Sequence, residues 1–224
     1  MRLSDLITST MPAGAALFLK WNGYHVFSIP KRELARSPSV SPNVATSEDP
    51  EQSPQIVRFF GVGGKRKHPG ETFADCALRE SIEEIGAVVS RLESAEKTYL
   101  LKADKTFAPI DITDEPVRPR LILEKRDHSG YGSMTHFDRS YYLVAFNASL
   151  LAKPRPSNEI AAILYLKDDH LSMMNSTTQF TITNLINCGA QIEFQANVSL
   201  ADSTILVPHG TASFLIEHQS FGAI

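Results

Sequence analysis

The chain has 224 residues, of which 42% are hydrophobic and 21% charged, and its net charge is −3 at neutral pH. This length and balance fit a soluble globular domain with a substantial core, and the slight acidity excludes a broad nucleic-acid-binding surface, which is normally basic. Two cysteines, Cys76 and Cys188, make neither a disulfide framework nor a cysteine metal cluster.

In chain order, the first apolar run covers residues 13–19, with Asp5 before it and Lys20-Trp21-Asn22 closing it. It is too short to cross a membrane and lacks the basic start of a signal peptide. The cytoplasm is therefore the expected location, and no membrane partner is expected. Residues 13–21 and 24–29, joined by Asn22-Gly23, predict a β-hairpin with a two-residue turn. Residues 35–54 turn to Ser, Pro, Asn, Thr and acids and predict a flexible insertion.

A strand over 56–62 leads into a glycine-rich turn, and another strand is predicted over 95–101. Residues 104–119, rich in proline and acids, predict irregular chain. Strands over 117–125 and 140–146 flank an exposed loop at 127–138. A further strand is predicted over 160–166 and a helix over 180–188 ending at Gly189. Residues 191–217 hold short apolar pieces, and no internal repeat is present. Mixed strands with few helices predict an α+β architecture rather than a doubly wound sheet.

The densest information lies in GGKRKHPGETFADCALRESIEEIG, from Gly63 to Gly86. A helix over 74–85 puts Glu80, Glu83 and Glu84 at i, i+3 and i+4, on one face. Like charges at that spacing repel, and a hard divalent cation with oxygen ligands removes the conflict. Leu78, Ile82 and Ile85 predict an apolar stripe on the opposite face. Thr72, with Asp75 three residues on, predicts the N-cap, and Gly86 the C-terminal stop.

These residues resemble the Nudix box, the signature of hydrolases that cleave nucleoside diphosphates linked to another group. Glu71, seven residues, Arg79-Glu80, Ser81, Ile82, Glu83-Glu84, Ile85, Gly86 and Ala87 follow the family's order. Two departures stand out. Six residues separate Gly64 from Glu71 where the family has five, and Ser81 occupies a position that is usually aliphatic. The resemblance implies the Nudix fold, a mixed β-sheet sandwiched between α-helices. It implies one domain over 1–224, with a core of about 13–174 and residues 175–224 as an extension packed on it.

It further implies a pyrophosphohydrolase dependent on Mg²⁺ or Mn²⁺, acting on a nucleotide-type small molecule. Glu80, Glu83 and Glu84, with the Gly64 carbonyl, are the implied metal ligands, though the longer loop puts Gly64 in question. Arg79, four residues before Glu83, is placed to orient that carboxylate. Glu71 either supports the metal or serves as a helix-start acid. The general base is sought outside the box: Glu159 is the first candidate, with Glu115, Glu124 and His136 as competitors. Arg58, Lys65 and Arg32 offer charge for phosphate, and His68 lies in the longer loop. Phe59 and Phe60 alternate across a strand, so one is core and the other is free to stack on a ring.

Two other classes are carried beside the hydrolase. One is a non-catalytic nucleotide-sensing module on the same fold. The other is a prenyl diphosphate isomerase, which needs a catalytic cysteine before the box, where none lies. The substrate and the oligomeric state are not written in the sequence, and a homodimer is among the arrangements left open.

Overall fold

The computed structural model describes residues 1–8, 10–35, 54–127, 139–176 and 179–222. The predicted insertion at 35–54 therefore lies outside the described residues except at its two ends. The 127–138 loop, which includes His136, lies outside them beyond its first residue. The described chain is α+β, with mixed sheets and short helices. It clusters into two compact units, each built from two stretches of chain: Met1–Lys20 with Val62–Lys153, and Trp21–Gly61 with Pro154–Ile224.

The first unit is organised around the strand Arg139–Leu150, which is long enough to serve several neighbours. It pairs in parallel with Ala13–Trp21 and antiparallel with Leu121–Asp127 and Val89–Glu93. Thr98–Leu101 then pairs in parallel with Leu121–Asp127 and antiparallel with Phe107–Ile110. The sheet is thus mixed. Phe107–Ile110 lies inside the stretch predicted to be irregular. Its proline, Pro109, sits on a strand for which this is the sole sheet partner described, a position that tolerates a missing N–H.

The predicted single strand over 56–62 is instead two strands. Ile56–Phe59 pairs in parallel with Ile205–Pro208 in the second unit, whereas Val62–Lys65 pairs antiparallel with Ala13–Trp21 in the first. The chain changes units between Gly61 and Val62. An apolar run shows that a strand forms but not which partner it joins.

The box helix runs from Phe73 to Ile85 and starts as predicted: Thr72 Oγ1 accepts from the Asp75 N–H at 3.0 Å. Its buried face differs from the predicted Leu78, Ile82 and Ile85 stripe. Phe73, Cys76, Ala77, Ser81 and Ile85 are buried, while Ile82 is 55% exposed. Small side chains at 76, 77 and 81 let the helix backbone lie close to the strand Val62–Lys65, and Ser81 satisfies its hydroxyl by donating to the Leu78 carbonyl at 2.7 Å. Ser81 at a usually aliphatic position is thus a spacing device. Ser81→Leu is expected to destabilise the fold by about 1–3 kcal/mol through overpacking. Ile82→Ala is expected to stay within about 0.5 kcal/mol, as an exposed site does. Denaturant unfolding of both variants checks the assignment of the face.

In the second unit, Ile160–Leu166 is buried along its whole length and lies between Tyr24–Pro30 and Gln191–Phe194, antiparallel to both. A separate three-stranded sheet runs Phe180–Thr181, Ile205–Pro208, Ile56–Phe59. The helix predicted over 180–188 is shorter, Ile182–Asn187, and opens with a capping box between Thr181 and Asn184. The helix Asp168–Ser176, absent from the sequence reading, packs on Thr211–Glu217 and Gln219–Gly222. Residues 175–222 therefore share a unit with Ile160–Leu166.

Candidate functional site

The site is built where the strand Val62–Lys65 passes under the box helix. Gly63 has φ 148°, a region that disfavours side chains, and a Cβ there would lie 2.6 Å from Ala16 Cα. At Gly64 the obstacle is functional: a Cβ would lie 2.6 Å from Glu80 Oε1. The two glycines thus clear a floor on which the glutamate carboxylates rest against backbone. Gly63 N–H donates to Glu84 Oε2 at 3.2 Å. The Gly64 carbonyl accepts from the Cys76 thiol at 3.7 Å.

Arg79 ties this face together. Its Nε donates to Glu71 Oε1 at 2.7 Å and its Nη1 to Glu80 Oε1 at 2.7 Å and to Glu83 Oε2 at 3.4 Å. Nη2 donates to the Lys65 carbonyl at 3.0 Å and to Glu71 Oε2 at 3.2 Å. The planar fork suits this task because it offers its donors in fixed directions. Glu71, 8% exposed, also accepts the Lys67 N–H at 2.7 Å. The Arg79 hydrogen bonds hold its carboxyl down at about 2 against the opposing effect of burial, with the Lys67 N–H helping. Arg79 in turn is held well above its ordinary value, chiefly by Glu71.

Glu83 is paired a second time, accepting from Lys67 Nζ at 2.8 Å, and this contact is the main cause of its lowered pKa. Glu80, Glu83 and Glu84 share one face as expected, but among the described residues no three His, Cys, Asp or Glu side chains form a ready-made metal cage. Without a divalent ion, carboxylates at i, i+3 and i+4 relieve their repulsion on the nearest cations, here Arg79 and Lys67. The donor set nonetheless fits a hard divalent cation: it is all oxygen, and the Gly64 floor is open where any side chain would block Glu80. Gly64→Ala is expected to push the Glu80 carboxylate off this floor. The expected result is a loss of divalent-ion affinity of at least about tenfold, equivalent to 1.4 kcal/mol, measured by Mn²⁺ titration.

No family model matches the chain, and no curated protein matches it. Several solved structures are similar to it, among them the following three. The solution structure of the E. coli ORF135 protein shares 14% identity over 71% of this chain and 75% of that one, with a TM-score of 0.36. A crystal structure of a Nudix hydrolase from Nitrosomonas europaea shares 14% identity over 71% of this chain and 59% of that one, TM-score 0.34. A Nudix hydrolase structure from the same organism shares 10% identity over 75% of this chain and 79% of that one, TM-score 0.37. These likenesses are distant.

Around the same floor, Cys76 is buried and its thiol is pushed up to about 11, by burial first and then by the Glu71 charge. Such a thiol is inert at neutral pH, which removes the one box cysteine as a nucleophile. Tyr141 is pushed up to about 12, mainly by burial, with Cys76 and Glu80 adding to it. Its phenol stays protonated and able to donate. Tyr141 and Lys65, Arg66, Lys67 and His68 line a cleft of ≈ 230 Å³. Glu124, a competitor for the base, is engaged by Ser140 and Tyr142 hydroxyls at 2.9 and 3.2 Å. Glu115 is half-buried, and burial pushes its carboxyl up, with the Asp114 charge adding to it.

The remaining candidates lie in the second unit. Arg58 makes a two-pronged pair with the buried Glu33, at 2.7 and 2.9 Å. Arg58 and Arg32 each carry a guanidinium 5.9 Å from the centre of the Phe60 ring. Phe59 is fully buried and Phe60 only partly, so Phe59 is the core member of that pair. Glu159 is exposed, and its backbone carbonyl accepts from the Lys31 N–H at 2.7 Å. Sequence reasoning missed Lys67 as the partner of Glu83, missed Tyr141, and did not pair Glu71 with Arg79. The Lys65-Arg66-Lys67 run was the available signal for the first. Nothing local marks Tyr141, which arrives from a strand paired in register with Ala13–Trp21.

Proposed function

We propose that this protein is a Nudix-type hydrolase that cleaves a pyrophosphate bond in a nucleoside diphosphate linked to another group, or converts an NTP to NMP and pyrophosphate. The observation that supports it best is the carboxylate face of Glu80, Glu83 and Glu84, laid over the side-chain-free Gly63-Gly64 strand and oriented by Arg79. Glu80, Glu83 and Glu84, with the Gly64 carbonyl, would hold Mg²⁺ or Mn²⁺, which supplies the positive charge that offsets the oxygens of the scissile linkage.

Arg79 positions Glu80 and Glu83, and its own orientation is locked by Glu71. Lys65 offers charge to a substrate phosphate; Arg58 and Arg32 are further candidates for that role. Glu159 is the proposed acceptor of the proton from the attacking water. The proposed setting is the cytoplasm. Among the described residues no helix is long and apolar enough to cross a membrane.

A second reading, a nucleotide-sensing module without turnover, is favoured by one observation: Glu83 is already engaged by both Lys67 and Arg79. A panel of ADP-ribose, dinucleoside polyphosphates and nucleoside triphosphates, with products weighed by mass spectrometry, separates the two. Two phosphate-bearing products, formed only with Mg²⁺ or Mn²⁺, are expected. Nucleotide binding without products from any member of the panel would replace the hydrolase by the sensing module.

A further inference from the structure

The loop before the box helix faces two chemistries. Lys65, Arg66, Lys67 and His68 line the ≈ 230 Å³ cleft, together with Tyr141 and Met11 among others. Arg66 is already engaged, its guanidinium 4.4 Å from the centre of the Phe73 ring. Lys67 is arranged differently. Its backbone is anchored, because its N–H donates to Glu71 Oε2 at 2.7 Å. Its side chain is 58% exposed, and its Nζ holds Glu83 Oε1 at 2.8 Å.

A lysine ammonium is a compact charge on a flexible four-carbon stem, so rotation of that stem moves the charge while the backbone stays in place. The contact it makes with Glu83 is an exposed ion pair, which contributes little and is easily exchanged. A divalent cation competes for the same Glu83 carboxylate with twice the charge.

We propose that Lys67 is an exchangeable counter-ion: it neutralises Glu83 in the absence of a divalent cation and, once a cation takes Glu83, turns into the cleft to hold a phosphate of the substrate. This rests on the function proposed above. Divalent-cation binding and phosphate binding are then positively coupled through one side chain, and the coupling is reciprocal. Release of Lys67 on cation binding supplies the cleft with a second ammonium beside Lys65, at the time an anionic substrate needs it.

The test compares the full-length chain with Lys67→Met and Lys65→Met, with Lys67→Gln as a second form of the first variant. Mn²⁺ binding is followed by electron paramagnetic resonance. Binding of methylenediphosphonate, a diphosphate that resists hydrolysis, is followed by calorimetry with and without Mg²⁺. Removing an exposed pair worth up to about 1 kcal/mol should tighten Mn²⁺ binding about two- to fivefold in both Lys67 variants, with Lys65→Met staying within about twofold of wild type. The enhancement of diphosphonate binding by Mg²⁺ should shrink at least about threefold in the Lys67 variants and persist in Lys65→Met.

Equal tightening of Mn²⁺ by Lys65→Met would reduce the effect to general repulsion and overturn the exchange. So would wild-type Mn²⁺ affinity in the Lys67 variants, or an undiminished Mg²⁺ enhancement. In each of these cases wild type still binds Mn²⁺ and the hydrolase reading stands. Failure of wild type to bind Mn²⁺ at all overturns both.

Discussion

Glu84→Gln and Glu83→Gln are each expected to lower the turnover number at least about 100-fold, equivalent to about 2.7 kcal/mol of barrier. EDTA is expected to abolish turnover in the wild type. Glutamine keeps the size of the side chain and can still accept the Gly63 N–H that Glu84 Oε2 receives at 3.2 Å, so the change removes charge and leaves shape. Stability should move by less than about 1 kcal/mol, because relief of like-charge repulsion on the helix face offsets the loss, at Glu83, of an exposed pair with Lys67. A steady-state assay on the best substrate of the panel, with denaturant unfolding alongside, reads both quantities. Turnover within about threefold of wild type, under 1 kcal/mol, would show that these carboxylates do not carry the chemistry.

Arg79→Ala is expected to produce the opposite profile, a large loss of stability together with a loss of activity. Glu71 is 8% exposed and Arg79 22% exposed, so the variant strands a buried carboxylate. Breaking such a pair costs about 3 kcal/mol, or roughly 6–12 °C in a protein of this size. Arg79→Lys should recover only part of this, since one ammonium cannot serve Glu71, Glu80 and the Lys65 carbonyl in one plane.

The pH dependence has a defined sign. The Glu71 pKa is lowered from 4.5 to about 2 on folding, so its contribution is fully present above pH 4.5 and fades as pH falls toward 2. The melting-temperature gap between wild type and Arg79→Ala should therefore be widest near neutrality and close progressively below pH 4.5. A gap independent of pH would mean that the Arg79–Glu71 pair is not its source.

Much of the box was legible in the sequence because its information is local. The helix, its Thr72 cap, its stop at Gly86 and the shared face of Glu80, Glu83 and Glu84 follow from spacing within two dozen residues, and the structure reproduces them. The buried face of the same helix was misread. Hydrophobicity favours Leu78 and Ile82, but the strand beneath demands close approach, and small Cys76, Ala77 and Ser81 turn inward instead. The short strand Phe107–Ile110 and the helix Asp168–Ser176 were missed because polar and proline-containing stretches carry little periodic signal until a neighbour pairs with them.

By itself the sequence determined an α+β chain, one acidic helix face behind a glycine turn, and a buried strand at Ile160–Leu166, since each depends on residues close together in the chain. Tertiary structure alone decided that one apolar run serves two sheets, with Ile56–Phe59 joining one unit and Val62–Lys65 the other. It alone decided that Glu71 is the chief partner of Arg79, that Lys67 sits on Glu83, and that Tyr141 faces the same cleft. Those pairings follow from strand register and from where a loop crosses a helix. Both depend on residues far apart in the chain, and no local pattern encodes them.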